Sequence, residues 1–148
     1  MIRRALVFQH MDDEPPGLFG DFLRAQGAAL DIVMLHRGET IPSLAPYDFL
    51  LVMGGAMDVW EIEAHPWLVR EKAAIREWVM DRAKPYFGVC LGNQLLCDAL
   101  GSEIGLAENP EVGVFEVSLT DDGKSHKLFA GLAPANRVMQ WHWAEAKR

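Results

Sequence analysis

The chain has 148 residues, 50% of them hydrophobic and 24% charged, with a formal net charge of −7. That balance is ordinary for one globular domain with a buried core and excludes a disordered chain. The acidic surplus, with basic residues scattered apart from Arg3-Arg4 and Lys147-Arg148, excludes a nucleic-acid partner, and no apolar run nears the roughly 20 residues of a membrane helix.

The N-terminus, Met-Ile-Arg-Arg followed by a short apolar run, lacks the features of a signal peptide, so a cytoplasmic location is expected. Arg4 to Gln9 reads as a strand, followed by a polar loop holding Pro15, Pro16 and Gly17. Leu18, Phe19, Phe22 and Leu23 recur at helical spacing, with Gly27 where a C-cap belongs, which predicts a helix over about 17–26. Leu30 to Leu35 and Phe49 to Met53 are nearly continuous apolar runs, the pattern of central strands covered on both faces. Pro66 opens a second helix with Trp67, Ala74, Ile75 and Trp78 on one face and Glu71, Lys72, Arg76 and Glu77 largely opposite. Pro85 to Val89 is a fourth strand, and Gly92 to Leu100 a helix closing on Gly101. Val114 to Leu119 alternates as a strand with one open face, and Arg137 to Trp143 reads as another.

Strands alternating with helices predict an α/β three-layer sandwich with a mostly parallel central sheet, flavodoxin-like in plan. Residues 1–148 form a single domain with no internal repeat or linker. The chain stops at Glu145-Ala146-Lys147-Arg148, directly after a strand, so the domain reads as incomplete at its C-terminus with its final strands missing.

The chemistry concentrates in Gly88-Val89-Cys90-Leu91-Gly92-Asn93-Gln94. A strand ends, one residue occupies a tight turn between glycines, and a helix begins, which is the plan of a nucleophile elbow. A helix N-terminus at Cys90 favours thiolate, the reactive form. The bland alternative is a buried cysteine in a strand-helix turn. Cys97 lies mid-helix among Leu95, Leu96 and Leu100 and reads as core. Seven-residue spacing makes the two cysteines neither a redox pair nor a zinc pair. Gly54-Gly55-Ala56 follows a second central strand and reaches the same rim of the sheet as Cys90. Two glycines there either aim a backbone N–H at an oxyanion, with the N–H of Leu91 as partner, or form an ordinary turn.

The G-V-C-L-G-N-Q segment resembles the G-x-C-x-G-x-Q signature of class I glutamine amidotransferases. VMGGAMDVW resembles that family's glycine-rich oxyanion strand, HPWLVREK the segment after it, and QHMDDEPPGLF the opening of the stand-alone branch similar to the amidotransferase domain of GMP synthase. The resemblance implies that Cys90 attacks the side-chain amide of glutamine, forms a glutamyl thioester and releases ammonia to an acceptor or partner. It further implies Gly55 and Leu91 as oxyanion donors, Gly54 and Gln94 as substrate-binding positions, and Gly88 and Gly92 as shapers of the elbow. No metal or nucleotide cofactor is implied.

A cysteine nucleophile wants a histidine base and a carboxylate to orient it. His10 ends the first strand on the correct rim and reads either as a ligand-lining residue or as a solvated loop residue; His36 is equally ambiguous. His65 precedes Pro66 and opens a helix, and His126 sits in the polar turn DDGKSHK. His142, with Glu145 close behind, is the best-placed base by position in the chain. The resemblance argues otherwise: QWHWAE is similar to an earlier segment of the family rather than to its catalytic H-x-E, and position 144 is alanine. His142 is thus either the base or a structural or substrate-lining residue. Three readings stand: an amidotransferase, an inactive homologue acting as a binding or regulatory module, and a DJ-1/PfpI-like cysteine hydrolase. Gly54-Gly55 and Gln94 favour the first over the third, while the absent H-x-E supports the second. Missing strands would also expose apolar surface, so a tendency to form homo-oligomers or to aggregate is expected.

Overall fold

In a computed structural model, which describes residues 1–147, the first four strands form one parallel sheet. Strand β1 (Arg4–Gln9) pairs with β2 (Ala29–Met34) on one side and β3 (Phe49–Val52) on the other, and β3 pairs with β4 (Tyr86–Gly88). The order β2-β1-β3-β4 is the start of a flavodoxin-like sheet. Helix α1 (Gly17–Ala25) connects β1 to β2, α2 (Trp67–Arg76) connects β3 to β4, and α3 (Leu91–Ala99) follows β4. A π-helical turn, Glu77–Asp81, extends α2.

The period-2 geometry of a strand sorts β1 between two cores. Leu6 and Phe8 join Leu50 and Val52 under Leu68, Ile75 and Trp78 of the α2 segment and Leu91 and Leu95 of α3. Ala5 and Val7 join Leu51 and Met53 on the opposite face, with Leu23 of α1. Every β1 position from Ala5 to Gln9 is therefore buried, which is why the strand reads as an unbroken apolar run. Helices on both faces of a mostly parallel sheet make the expected α/β sandwich.

Three details differ from the sequence reading. Leu18 and Phe22 of α1 are exposed, and only Gly20 and Leu23 of that helix are buried. Glu71 is fully buried on the Trp67–Trp78 face rather than opposite it. The spacing 67, 71, 74, 78 already puts Glu71 on that face; its charge alone argued for the surface. The turn around Asp121 is a short helix, α4 (Asp121–Ser125), capped by the Thr120 hydroxyl accepting from the Gly123 N–H at 3.0 Å.

Strands β5 (Ile104–Ser118) and β6 (Ala135–Ala146) form a separate two-stranded sheet. Leu119 bonds to Pro134 while Glu111 meets His142, so the two strands run antiparallel. Both are longer than their alternating stretches suggest. Pro110 is tolerated because each strand of a two-stranded ribbon has a free edge. The described residues divide into two compact units, Met1–Gly105 with Ala146 and Lys147, and Leu106–Glu145.

Candidate active site

Strand β4 delivers Cys90 to the start of α3 with φ 50° and ψ −107°, a left-handed region that disfavours side-chain-bearing residues. Such strain at a residue between a strand and a helix persists only where the packing around the turn sustains it. The glycines around it are required by space. A Cβ on Gly88 would lie 2.5 Å from the Gly92 carbonyl carbon, and one on Gly92 would collide with the Val52 carbonyl oxygen. The elbow is pinned to its neighbours. Val89 N–H donates to Val52 O at 2.9 Å, the Asn93 and Gln94 N–H groups donate to Cys90 O, and the Tyr86 hydroxyl donates to Gly92 O at 2.6 Å.

The second glycine pair lies beside this turn. A Cβ on Gly54 would lie 3.6 Å from the Cys90 Cβ, and one on Gly55 would lie 2.9 Å from a Leu91 methyl. The pairing of β3 with β4 thus brings Gly54, Gly55, Cys90 and Leu91 together. Gln94 lies half-buried in the first turn of α3.

Two further groups complete the surroundings: His10, which the sequence left open between a lining and a solvated residue, and Glu14, which sequence reasoning missed. His10 is buried, not a solvated loop residue. Its Nδ1 lies 2.8 Å from Gly54 O, its Nε2 2.9 Å from Glu71 Oε1, and its ring stacks on Trp67. Burial alone would push the imidazole pKa down, but Glu71, the Gly54 carbonyl and Glu14 together hold it above its ordinary value. Glu14, from the loop after β1, places Oε2 2.6 Å from where a Gly54 Cβ would stand. The position of His10 at a strand end was a usable signal; nothing local marked Glu14.

The Cys90 thiol is pushed up from its ordinary pKa, not down as the helix N-terminus suggested. Desolvation is the largest cause and the Glu14 carboxylate adds to it, outweighing the Leu91 backbone N–H that favours thiolate. The resting thiol is therefore protonated, and attack requires a base or a change of surroundings. Cys97 is partly buried and unpaired as a disulfide.

His142 lies in the Leu106–Glu145 unit, half-buried on β6, with Nε2 2.8 Å from Glu111 Oε2. Its ring is thus oriented by Glu111, a carboxylate that sequence reasoning did not consider, 31 positions away on the paired strand. Glu145 is exposed. His36 pairs with Asp12 at 2.7 Å, His65 sits beside Trp67, and His126 accepts from the Leu128 N–H.

The sequence profile of the glutamine amidotransferase class-I family matches residues 21–148. The glutamine amidotransferase-like protein YfeJ of Salmonella typhimurium is 26% identical over 143 residues, covering 90% of this chain and 57% of that protein. A glutamine-hydrolyzing GMP synthase subunit from Sulfurisphaera tokodaii is 27% identical over 116 residues, covering 78% of this chain and 57% of that protein. The crystal structure of a glutamine amidotransferase from Thermotoga maritima superposes with a TM-score of 0.88 at 29% identity, covering 98% of this chain and 62% of that one. The chain thus spans about three fifths of the length of these relatives. With a family profile matching most of its length and the sheet order in agreement, the chain belongs to the class I glutamine amidotransferase family.

Proposed function

We propose that this domain hydrolyses the side-chain amide of glutamine through a Cys90 thioester and passes the ammonia to an acceptor on a partner protein or a second substrate. The observation that carries this reading is the strained Cys90 turn with Gly54 and Gly55 beside it. Once a base removes the thiol proton, Cys90 Sγ bonds to the amide carbon. The carbonyl oxygen becomes an oxyanion facing the N–H groups of Gly55 and Leu91. The carbon–nitrogen bond then breaks, the nitrogen takes a proton and leaves as ammonia, and water releases glutamate from the thioester. Gly54 and Gln94 would hold the substrate beside the thiol. The GMP synthase component among the relatives supports an ammonia-accepting partner.

Within this chain His142 and Glu145 are the candidates for the base and its partner, and Glu111 already orients His142. The alanine at position 144, which breaks the H-x-E spacing after His142, supports a second reading, a pocket that binds glutamine without turnover. Ammonia release from glutamine, measured beside Cys90→Ser and His142→Ala, separates them. The catalytic reading expects turnover in wild type and none in Cys90→Ser, with His142→Ala reduced about 100-fold or more if His142 is the base. Glutamine binding without turnover selects the binding module. Turnover that survives Cys90→Ser sinks the thioester mechanism.

A further inference from the structure

We infer that buried His10 and Glu71 form a clamp that aims the Gly55 N–H at the oxyanion, so that His10 is a positioning residue and Glu71 the group that holds it. This role rests on the amidotransferase reading above and belongs to a buried pair which that reading leaves unused.

Gly54 and Gly55 share one peptide unit. Its carbonyl oxygen belongs to Gly54 and its N–H to Gly55, and in a trans peptide the two point in opposite directions within one plane. Whatever fixes the Gly54 carbonyl therefore fixes the Gly55 N–H. Glycine on both sides leaves that plane little steric restraint of its own. His10 supplies the restraint: a carbonyl can only accept, so Nδ1 carries the hydrogen across the 2.8 Å contact to Gly54 O. The Gly55 N–H then faces away from His10 and has no protein acceptor among the described residues. The next N–H, of Ala56, is already taken by Met11 Sδ at 3.3 Å.

The second half of the clamp is Glu71. Its Oε1 meets His10 Nε2 at 2.9 Å, both side chains are fully buried, and Trp67 stacks on the imidazole at an interplanar angle of 9°. The carboxylate fixes the ring's rotation, as outer-shell carboxylates do for histidines that bind metals. It also favours the imidazolium, in which both ring nitrogens donate and Nδ1 keeps its hydrogen for Gly54 O. Glu71 Oε2 has no hydrogen-bond partner among the described residues. An acid with one oxygen unsatisfied in a fully buried position is costly, and orienting His10 is a use that offsets that cost. The clamp also ties three elements together at the rim, the end of β1, the turn after β3 and the face of α2.

The test compares two reagents on one sulfur. A chloroketone analogue of glutamine develops an oxyanion when the thiol attacks its carbonyl, whereas iodoacetamide alkylates by direct displacement and develops none. In Glu71→Ala the rate of Cys90 modification by the bound chloroketone should fall about 10- to 100-fold, less than the loss of a whole donor. The iodoacetamide rate should stay within about twofold, since it does not use the oxyanion donors. Glu71→Gln, whose amide donates to Nε2 and leaves the hydrogen on Nδ1, should restore most of the chloroketone rate. Equal losses with both reagents, unchanged rates with both, or no rescue by Glu71→Gln would overturn the clamp. Melting curves of each variant confirm that the fold persists. An independent readout is the His10 Nδ1 proton by NMR, expected to be slow-exchanging in wild type and Glu71→Gln and lost in Glu71→Ala. Its absence in wild type overturns the clamp even where labelling is normal. A wild type that shows this proton yet is not labelled by the chloroketone would retire the amidotransferase reading instead.

Discussion

The two compact units of this chain are held together by different forces. In the Met1–Gly105 unit, Leu6, Phe8, Leu50, Leu68, Ile75, Trp78, Leu91 and Leu95 are all essentially inaccessible to water. In Leu106–Glu145 the buried hydrophobic residue among those described is Ala144, while Phe115, Met139, Trp141 and Trp143 are exposed. The first unit is ordered by a core on each face of a parallel sheet. The second is ordered by the hydrogen bonds of one ribbon, an arrangement that is marginal in isolation. The elbow and its glycine rim belong to the core-bearing unit, where strain at Cys90 can be sustained by the packing around it.

The largest effect that sharpens this contrast comes from deleting an equally large side chain in each unit. Trp78→Ala removes a fully buried indole that also donates to Pro85 O, and should destabilise the protein by about 3–5 kcal/mol in chemical denaturation. Trp141→Ala, at a residue 62% exposed, should change the same stability by no more than about 0.5 kcal/mol. Similar losses at both sites would mean that the exposed ribbon carries packing that its burial does not reveal.

Next comes Gly92→Ala. The new methyl collides with the Val52 carbonyl, so β3 and α3 must separate at the elbow. Modification of Cys90 by the glutamine analogue should fall about 100-fold or more, as expected when a reacting group is displaced by an ångström. Hydrogen exchange should barely change in β5 and β6, and wild-type β5–β6 amides should themselves exchange faster than those of β1 and β3. Protection of the ribbon equal to that of the parallel sheet would break the comparison.

A smaller effect is the pH dependence carried by His10. Its folded pKa is raised, so its contribution to stability is fully present below the unfolded value of about 6.5 and is lost as pH rises through the raised folded value. Glu71, the Gly54 carbonyl and Glu14 are the groups that set this sign. The stability gap between wild type and His10→Asn should therefore be widest at about pH 5–6 and narrow on the alkaline side; a gap that widens with pH would refute the assignment. Smaller again is Glu14→Gln. Removing that carboxylate lowers the Cys90 thiol toward its ordinary value, so the iodoacetamide rate at neutral pH should rise a few-fold.

The parallel sheet was legible because strands buried on both faces leave continuous apolar runs, and Arg4–Gln9 is the case in point. The tight turn at Cys90 was legible because glycines flank it, and the space around Gly88 and Gly92 admits no side chain. The clamp was not legible, since His10 and Glu71 are 61 positions apart and a carboxylate on a helix reads as solvated until its place on the helical face is weighed. The pairing of His142 with Glu111 was hidden for a similar reason. It depends on the register of β5 against β6, and the Glu108-Asn109-Pro110 break obscured how far β5 extends.

The most direct test of a glutamine site at this elbow is competition at Cys90. The protein is treated with the glutamine chloroketone, with or without L-glutamine or L-asparagine, and both cysteines are read by mass spectrometry. The expected result is that Cys90 is labelled, Cys97 is not, and glutamine slows the reaction while asparagine does not. Equal labelling of the two cysteines, or a Cys90 rate indifferent to glutamine, would contradict the claim that this elbow is a glutamine site.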